Sequence, residues 1–316
     1  MIWEDINLSM EILESMRNQL YEEILNGIPE SRRKMAPFVW AGGKGKLIRK
    51  LLPLLPDGKT YAEPFCGAAS MFWHKALHPC EVLNDLDDEI INLFRCLQSE
   101  ELFPKLFHKI LFTPYSFSEF QKALQQESTD PVEKAWAFYV RQNQGFGGKK
   151  PTGPGDWGRS FSIGRTSHPR TRYRVRLKSL SYWHNRLMGV FLENRDALEV
   201  IRYWDSPETV FYIDPPYVPD TRVTQGLYAG EPDKEFHHNL ISLLLEIEGK
   251  ALVSGYDHPV YRELDRANWK RYEFKTVCHM AGKVRGSRLR GSGAAQEHAA
   301  RIEVAWVKGD RQLELW

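Results

Sequence analysis

The sequence predicts an α/β fold: a mostly parallel sheet with a mainly helical segment inserted into it. Three observations point there. An apolar run, Val210-Phe211-Tyr212-Ile213, stops abruptly at Asp214-Pro215-Pro216. Such a run reads as a buried strand, and prolines cannot continue a sheet ladder, so the chain must turn out of the sheet at Asp214. Upstream, Tyr61–Ser70 reads as a short strand that passes through Gly67 into an apolar helix. About 20 residues beyond that glycine, Cys80-Glu81-Val82-Leu83-Asn84 reads as a second strand ending in an acid, Asp85, the spacing of a nucleotide-binding βαβ unit.

The remaining elements follow in order. Residues 9–26 have the pattern of an amphipathic helix, with Ser9 as N-cap and Gly27 and Pro29 as the stop. The Gly-rich loop Val39–Leu47 opens a helix but lacks the spacing of a phosphate-binding loop. Pro131–Asn143 reads as a helix within a mainly helical stretch, residues 101–185. Val190–Leu192, Val210–Ile213 and Ala251–Ser254 read as parallel strands, with Glu235–Glu248 and Pro259–Ala267 as crossover helices. Trp269–Val277 and Ile302–Val307 read as a closing antiparallel hairpin. The expected organisation is an N-terminal extension (1–37), a catalytic domain in two pieces (38–100 and 186–316), and an insert between them (101–185).

Composition narrows the function classes. With 316 residues the chain is long enough for one α/β domain plus an insert. No apolar stretch approaches membrane-spanning length, and the N-terminus lacks a basic-then-apolar export signal. The four cysteines form no Cys-x-x-Cys pair, which suits a reduced cytoplasmic setting. His74 and His78 stand four apart on an expected helix, but no third ligand is evident, so no metal site is expected. Nothing in the sequence calls for an obligate protein partner.

The residue types at the two strand ends suggest chemistry. An exocyclic aromatic amine is a poor nucleophile because its lone pair is delocalised into the ring. Two acceptors on its two hydrogens draw that lone pair out of conjugation. Asp214 and the Pro215 carbonyl are candidate acceptors, and Pro215 and Pro216 fix them in advance. Tyr217 offers a face on which a base can stack. Asp85 is placed to accept ribose hydroxyls. The triple-glycine phosphate fingerprint is absent, which disfavours a dinucleotide and suits S-adenosylmethionine, a ligand with a ribose and no phosphate.

Together these motifs resemble the DNA adenine methyltransferase family typified by bacterial and phage Dam enzymes, the D12 class of N6-adenine-specific methyltransferases. The resemblance runs from Phe38 to about Val307. It covers Trp40-Ala-Gly-Gly-Lys44, Glu63-Pro-Phe-Cys-Gly67, Asn84-Asp85, Glu193-Asn-Arg-Asp196 and Asp214-Pro-Pro-Tyr217, in the family's order. It implies a Rossmann-like S-adenosylmethionine-dependent fold with an inserted target-recognition domain, acting on double-stranded DNA. It also implies that Trp40, Lys44, Glu63, Phe65, Gly67 and Asp85 serve the cofactor, that Asp196 lies at its adenine, and that Asp214 to Tyr217 are catalytic. Methylation of N4 of cytosine places the same demands on an amine, though Ser often replaces Asp214's counterpart in such enzymes. RNA or protein-glutamine methylation and a catalytically silent DNA-binding module are more distant readings.

Net charge is only +2, yet it is uneven. From Arg141 to Lys178 the only acid is Asp156, against ten basic residues interleaved with Phe146, Trp157, Phe161 and Tyr173. Such a stretch suits a phosphate backbone and splayed bases. Arg141, Arg172 and Arg174 are expected at DNA, with Phe146, Lys149, Lys150 and Arg159 where the family carries its recognition hairpin. At Gly145–Lys150 this chain departs from the Asn-Gly-Leu-x-Arg pattern of GATC enzymes, so that target is not implied. A second basic cluster, Lys283, Arg285, Arg288 and Arg290, lies in the Gly-rich stretch Gly282–Gly293.

Overall fold

The computed structural model describes residues 35–40, 44–45, 47–145, 151, 153–158, 173, 175–219, 233–277 and 300–309. The expected helix at 9–26 and the basic cluster at 283–290 lie outside them. Within the described residues the fold is mixed α/β, built on one seven-stranded sheet. Its strands are β1 (Thr60–Glu63), β2 (Cys80–Asn84), β3 (Phe191–Glu193), β4 (Thr209–Ile213), β5 (Lys250–Tyr256), β6 (Lys270–Val277) and β7 (Ala300–Lys308). The order is β3-β2-β1-β4-β5-β7-β6. The first five are parallel. The expected closing hairpin is present, and β7 inserts antiparallel between β5 and β6.

The strand order reverses between β1 and β4, which defines a switch point at their carboxyl ends. All five residues of β4 are buried, as expected of a central parallel strand covered on both faces. One face packs Ala62, Val82, Phe211, Ile213, Ala251 and Val253 against Ile201, Leu240 and Leu244 from the helices Ala197–Trp204 and Lys234–Glu246. The acids that start these helices are caps. Asp196 accepts from Leu198 N–H, and Asp233 from Phe236 N–H.

The described residues fall into two compact units: one of residues 35–38, 93–145, 151, 153–158, 173 and 175–188, the other of residues 39–40, 44–45, 47–92, 189–219, 233–277 and 300–309. The first holds the helices Leu102–Leu111, Phe117–Leu124, Pro131–Gln144 and Leu180–Leu187. Pro131 sits at the first helical position behind the Asp130 cap, where its missing N–H has no intrahelical partner to lose.

One expected element differs. The segment after Gly67 forms a run of turns through His74 rather than a regular helix. Gly67 at φ +48° and Ala69 at φ +52° are both left-handed, and two such residues separated by a single position prevent an α-helix from starting there. Pro259–Ala267 is likewise a 3-10 turn, Pro259–Tyr261, followed by the five-residue helix Arg262–Arg266.

Candidate active site at the switch point

Three loops carry the candidate residues at the carboxyl edge of the parallel strands, all within the second unit. The first leaves β1. Glu63 ends the strand almost fully buried, its Oε1 accepting from Tyr61 Oη at 2.5 Å and from Phe72 N–H at 2.7 Å. Gly67 follows with its N–H donated to Asp85 Oδ2 at 2.7 Å. A Cβ on Gly67 would stand 2.9 Å from Trp40 Cδ1, so the indole lies directly against this turn and glycine alone permits it. Phe65 packs edge-on to Phe236, with ring centroids 6.0 Å apart.

The second loop leaves β2. Asp85 also accepts from Asp87 N–H at 3.0 Å. The side chain before it acts as a clamp. Asn84 Nδ2 donates to the Pro64 and Arg195 carbonyls at 2.9 and 3.1 Å, and its Oδ1 accepts from Arg195 N–H at 3.0 Å. One fully buried amide thereby ties the loops after β1, β2 and β3 together. Asn194 adds a bond to the Asp85 carbonyl at 2.8 Å. The sequence marked Asn84 only as part of a motif. A buried amide at a strand end, where backbone groups leave the ladder, is the signal that reveals its role.

The third loop leaves β4. Asp214 Oδ1 accepts from Ser254 Oγ at 3.2 Å and lies 3.1 Å from Lys44 Nζ. Lys44 is buried and also donates to Tyr217 Oη at 2.6 Å and to Glu303 Oε1. Tyr217 stacks on Tyr256, with centroids 4.2 Å apart and planes 14° from parallel. Ser254 and Tyr256 come from β5, and Glu303 from β7, whose register pairs Glu303 with Tyr256. Because β7 is antiparallel, its early residues lie at this edge. Ser254, Tyr256 and Glu303 were missed in the sequence. An acid between Ile302 and Val304 in an apolar strand is the signal for Glu303.

The site is acidic and crowded. Burial pushes Asp214 up to about 6, with Lys44 pulling the other way. Burial also raises Asp85 to about 6 and Glu63 to about 8. Three carboxyls displaced upward by burial gather at one sheet edge, which makes it the candidate functional site. The set suits a ligand that is cationic and bears hydroxyls. A carboxylate has about four lone-pair positions, so Asp85 keeps some capacity to accept beyond its three backbone donors, Gly67, Leu86 and Asp87.

The other sequence candidates are placed as follows. Lys44 meets Asp214, Tyr217 and Glu303. Asp196 is exposed and caps the helix Ala197–Trp204. Arg141 is half-buried, its Nη1 donating to the Ala123 carbonyl at 3.0 Å. Phe146, Lys149, Lys150, Arg159, Arg172 and Arg174 lie outside the described residues. His74 Nδ1 is 2.8 Å from the Ser70 carbonyl, and His78 Nδ1 is 3.0 Å from Lys75 Nζ. Among the described residues no three metal-ligating side chains come together, and no helix is long and apolar enough to cross a membrane.

A mostly parallel sheet with acids gathered at its switch point defines an α/β protein whose candidate site lies at the carboxyl edge of its strands. Comparison with known proteins places it more closely. The family model of D12 class N6 adenine-specific DNA methyltransferases matches residues 40–278. A DNA N-6-adenine-methyltransferase of Escherichia phage P1 is 28% identical over 255 residues, 75% of this chain and 32% of that protein. DNA adenine methylases of Haemophilus influenzae and Serratia marcescens are 26% and 25% identical, over 75% and 73% of this chain and 86% and 87% of theirs. The chain belongs to the D12 class N6 adenine-specific DNA methyltransferase family.

Proposed function

We propose that the chain methylates N6 of an adenine extruded from double-stranded DNA, with S-adenosylmethionine as donor. The observation that carries this is Asp214 held at the switch point by Lys44 and Ser254, with Tyr217 stacked beside it. Asp214 and the Pro215 carbonyl accept the two amine hydrogens, and Pro216 keeps the turn rigid. Tyr217 presents a ring to the extruded base, which must leave the duplex to be reached. When bound, S-adenosylmethionine supplies a methyl on a sulfonium, so transfer breaks that C–S bond, forms an N6–C bond and releases one N6 proton. Trp40, Phe65 and Gly67 shape the donor's place, Asp85 accepts its ribose hydroxyls, and Asp196 lies toward its adenine. The donor set fits, because Glu63, Asp85 and Asp214 oppose cations and hydroxyls, and the left-handed Gly67 leaves room for close approach.

The fold is read as a Rossmann-like methyltransferase domain (38–100 and 186–316) with a target-recognition insert at 101–185. Incubation with labelled S-adenosylmethionine and DNA, followed by nucleoside analysis, tests the whole reading. N6-methyladenine is expected, and N4-methylcytosine would replace it with the nearest rival.

Two further outcomes are expected. Glu63 is raised to about 8 by burial, so near neutral pH it is largely protonated before a ligand arrives. A cationic ligand beside it lowers that value, and Glu63 gives up its proton. Titrating S-adenosylmethionine into the protein without DNA near pH 7.5, in buffers of different ionisation enthalpy, should therefore reveal proton release. Glu63→Gln should abolish it. Release that persists in the Gln variant assigns the proton elsewhere.

In the insert, replacing Arg172 and Arg174 by Ala together should weaken binding to every DNA sequence and reduce the salt slope by about one per lost phosphate contact. Substituting Phe146, Lys149, Lys150 or Arg159 should instead change which sequence is methylated, since each bidentate base contact contributes about 1–3 kcal/mol of discrimination. Methylation sequencing of each variant separates the two groups. An unchanged target with lower overall activity would make all of them backbone contacts.

A further inference from the structure

Lys44 presents a difficulty for the reading above. An ammonium 3.1 Å from Asp214 competes with the substrate amine for the same oxygen. It also opposes the positive charge that develops on N6 as the methyl arrives. A lysine alone at this place would weaken the acid it touches.

The structure answers this from β7, the antiparallel neighbour of β5. Lys44 Nζ has three donors, and three acceptors surround it: Glu303 Oε1, Asp214 Oδ1 and Tyr217 Oη. The Lys44 and Glu303 side chains are each only 5% exposed. With Lys44 paired to Glu303, the cluster Lys44, Asp214 and Glu303 has a formal charge of −1, and that charge falls to Asp214.

We propose that Glu303 is a positioning residue for the methyl-transfer site: it takes up the charge of Lys44, so that the ammonium orients Asp214 and Tyr217 without neutralising the acid that the amine needs. The proposal rests on the functional reading above and names a residue on β7, beyond the matched residues 40–278. Antiparallel pairing of β7 with β5 is what brings Glu303 beside Tyr256 and onto Lys44. Ionisation of Asp214 is the natural readout. The charged and titratable groups around it are Lys44, Glu303, Tyr217, Tyr212, Tyr261 and Glu63. Of these, Glu303 raises Asp214 and Lys44 lowers it.

The test compares Glu303→Gln, Glu303→Asp and Lys44→Met/Glu303→Gln with the wild type. In Glu303→Gln, Lys44 acts on Asp214 unopposed. The acid limb of kcat/KM should move to lower pH by about half a unit or more, while plateau kcat falls by about tenfold or more. Calorimetric affinity for S-adenosylmethionine should change by less than about threefold, because the lost contact is to Lys44 and not to the donor. Glu303→Asp should keep the limb near its wild-type position. The double variant removes both charges of a buried pair, a change that folds tolerate, and should recover at least about threefold of the lost kcat.

A merely structural role would lower the active fraction without moving the pH limb, and an unmoved limb overturns the proposal. If Glu303→Gln does not fold, the double variant decides: activity as low as that of Asp214→Ala overturns it, and activity well above that level supports it. A wild type that does not methylate adenine sinks the functional reading and this inference together, whereas an active wild type with an unmoved limb sinks the inference alone.

Discussion

Asp214→Ala is expected to abolish methyl transfer while leaving S-adenosylmethionine binding intact. The carboxylate sits at the end of a fully buried strand, fixed by Ser254 and Lys44, so it costs no reorganisation at the moment of reaction. Losing one such preorganised acceptor costs about 3 kcal/mol or more of barrier, a rate loss of about a hundredfold or more. The alanine also leaves Lys44 with one partner fewer in a buried place, which adds to the loss. Asp214→Asn keeps an acceptor and should retain traces of activity. The wild-type rate should fall as pH drops through about 6, where burial places the Asp214 carboxyl, because the protonated form cannot accept from the amine. Single-turnover rates across pH check both statements. Near-normal turnover in the alanine variant, or a rate flat through pH 6, would remove Asp214 from the chemistry.

What the sequence could reveal of this site followed from how local each signal was. Asp214 was legible because the apolar run and the two prolines that place it are its own neighbours in the chain. The place of Asp85 at the end of a second strand was legible because the apolar run Val82-Leu83 stops beside it, whereas its 2.7 Å bond from Gly67 N–H was not. The turns at 67–74 were not legible, because the left-handed φ of Ala69 is imposed by surrounding structure, against the preference of a residue with a Cβ. The partners of Glu303, though not its oddness in an apolar strand, were illegible for a different reason. Its place beside Tyr256 depends on β7 entering the sheet between β5 and β6, a pairing between segments more than 40 residues apart. Nothing local to either segment specifies that choice. The same holds for Lys44, whose residue type was noticed but whose partners arrive from β4 and β7.

Asp85 carries the second large expectation. As acceptor for ribose hydroxyls it would make charge-assisted bonds, each contributing about 1.5–3 kcal/mol. Asp85→Ala should therefore weaken S-adenosylhomocysteine binding by about a hundredfold or more, since every 1.4 kcal/mol is a factor of about ten. It also strips Gly67 N–H of its partner and loosens the turn against Trp40. Asp85→Asn largely separates these two effects, because the amide oxygen can still accept from Gly67 while the charge is gone, at the loss of the bond from Asp87 N–H. Burial raises the Asp85 carboxyl to about 6, above its unfolded value near 3.9. The sign follows: this group's contribution to stability is complete below about pH 4 and is lost as pH rises through about 6. At neutral pH the ionised carboxylate thus costs the fold on the order of 1–3 kcal/mol, the size set by a displacement of about two units and reduced by partial exposure. The Asn variant escapes that cost. It should melt higher than the wild type at pH 7–8, lose that advantage toward pH 4, and still bind the cofactor more weakly. Thermal unfolding across pH, beside calorimetry with S-adenosylhomocysteine, measures both. A variant that is no more stable at pH 7.5 and binds as tightly as the wild type would make Asp85 a strand-end turn residue and nothing more. The combination of higher stability and weaker binding would mark a carboxylate that is retained at the expense of the fold because a ligand needs its charge.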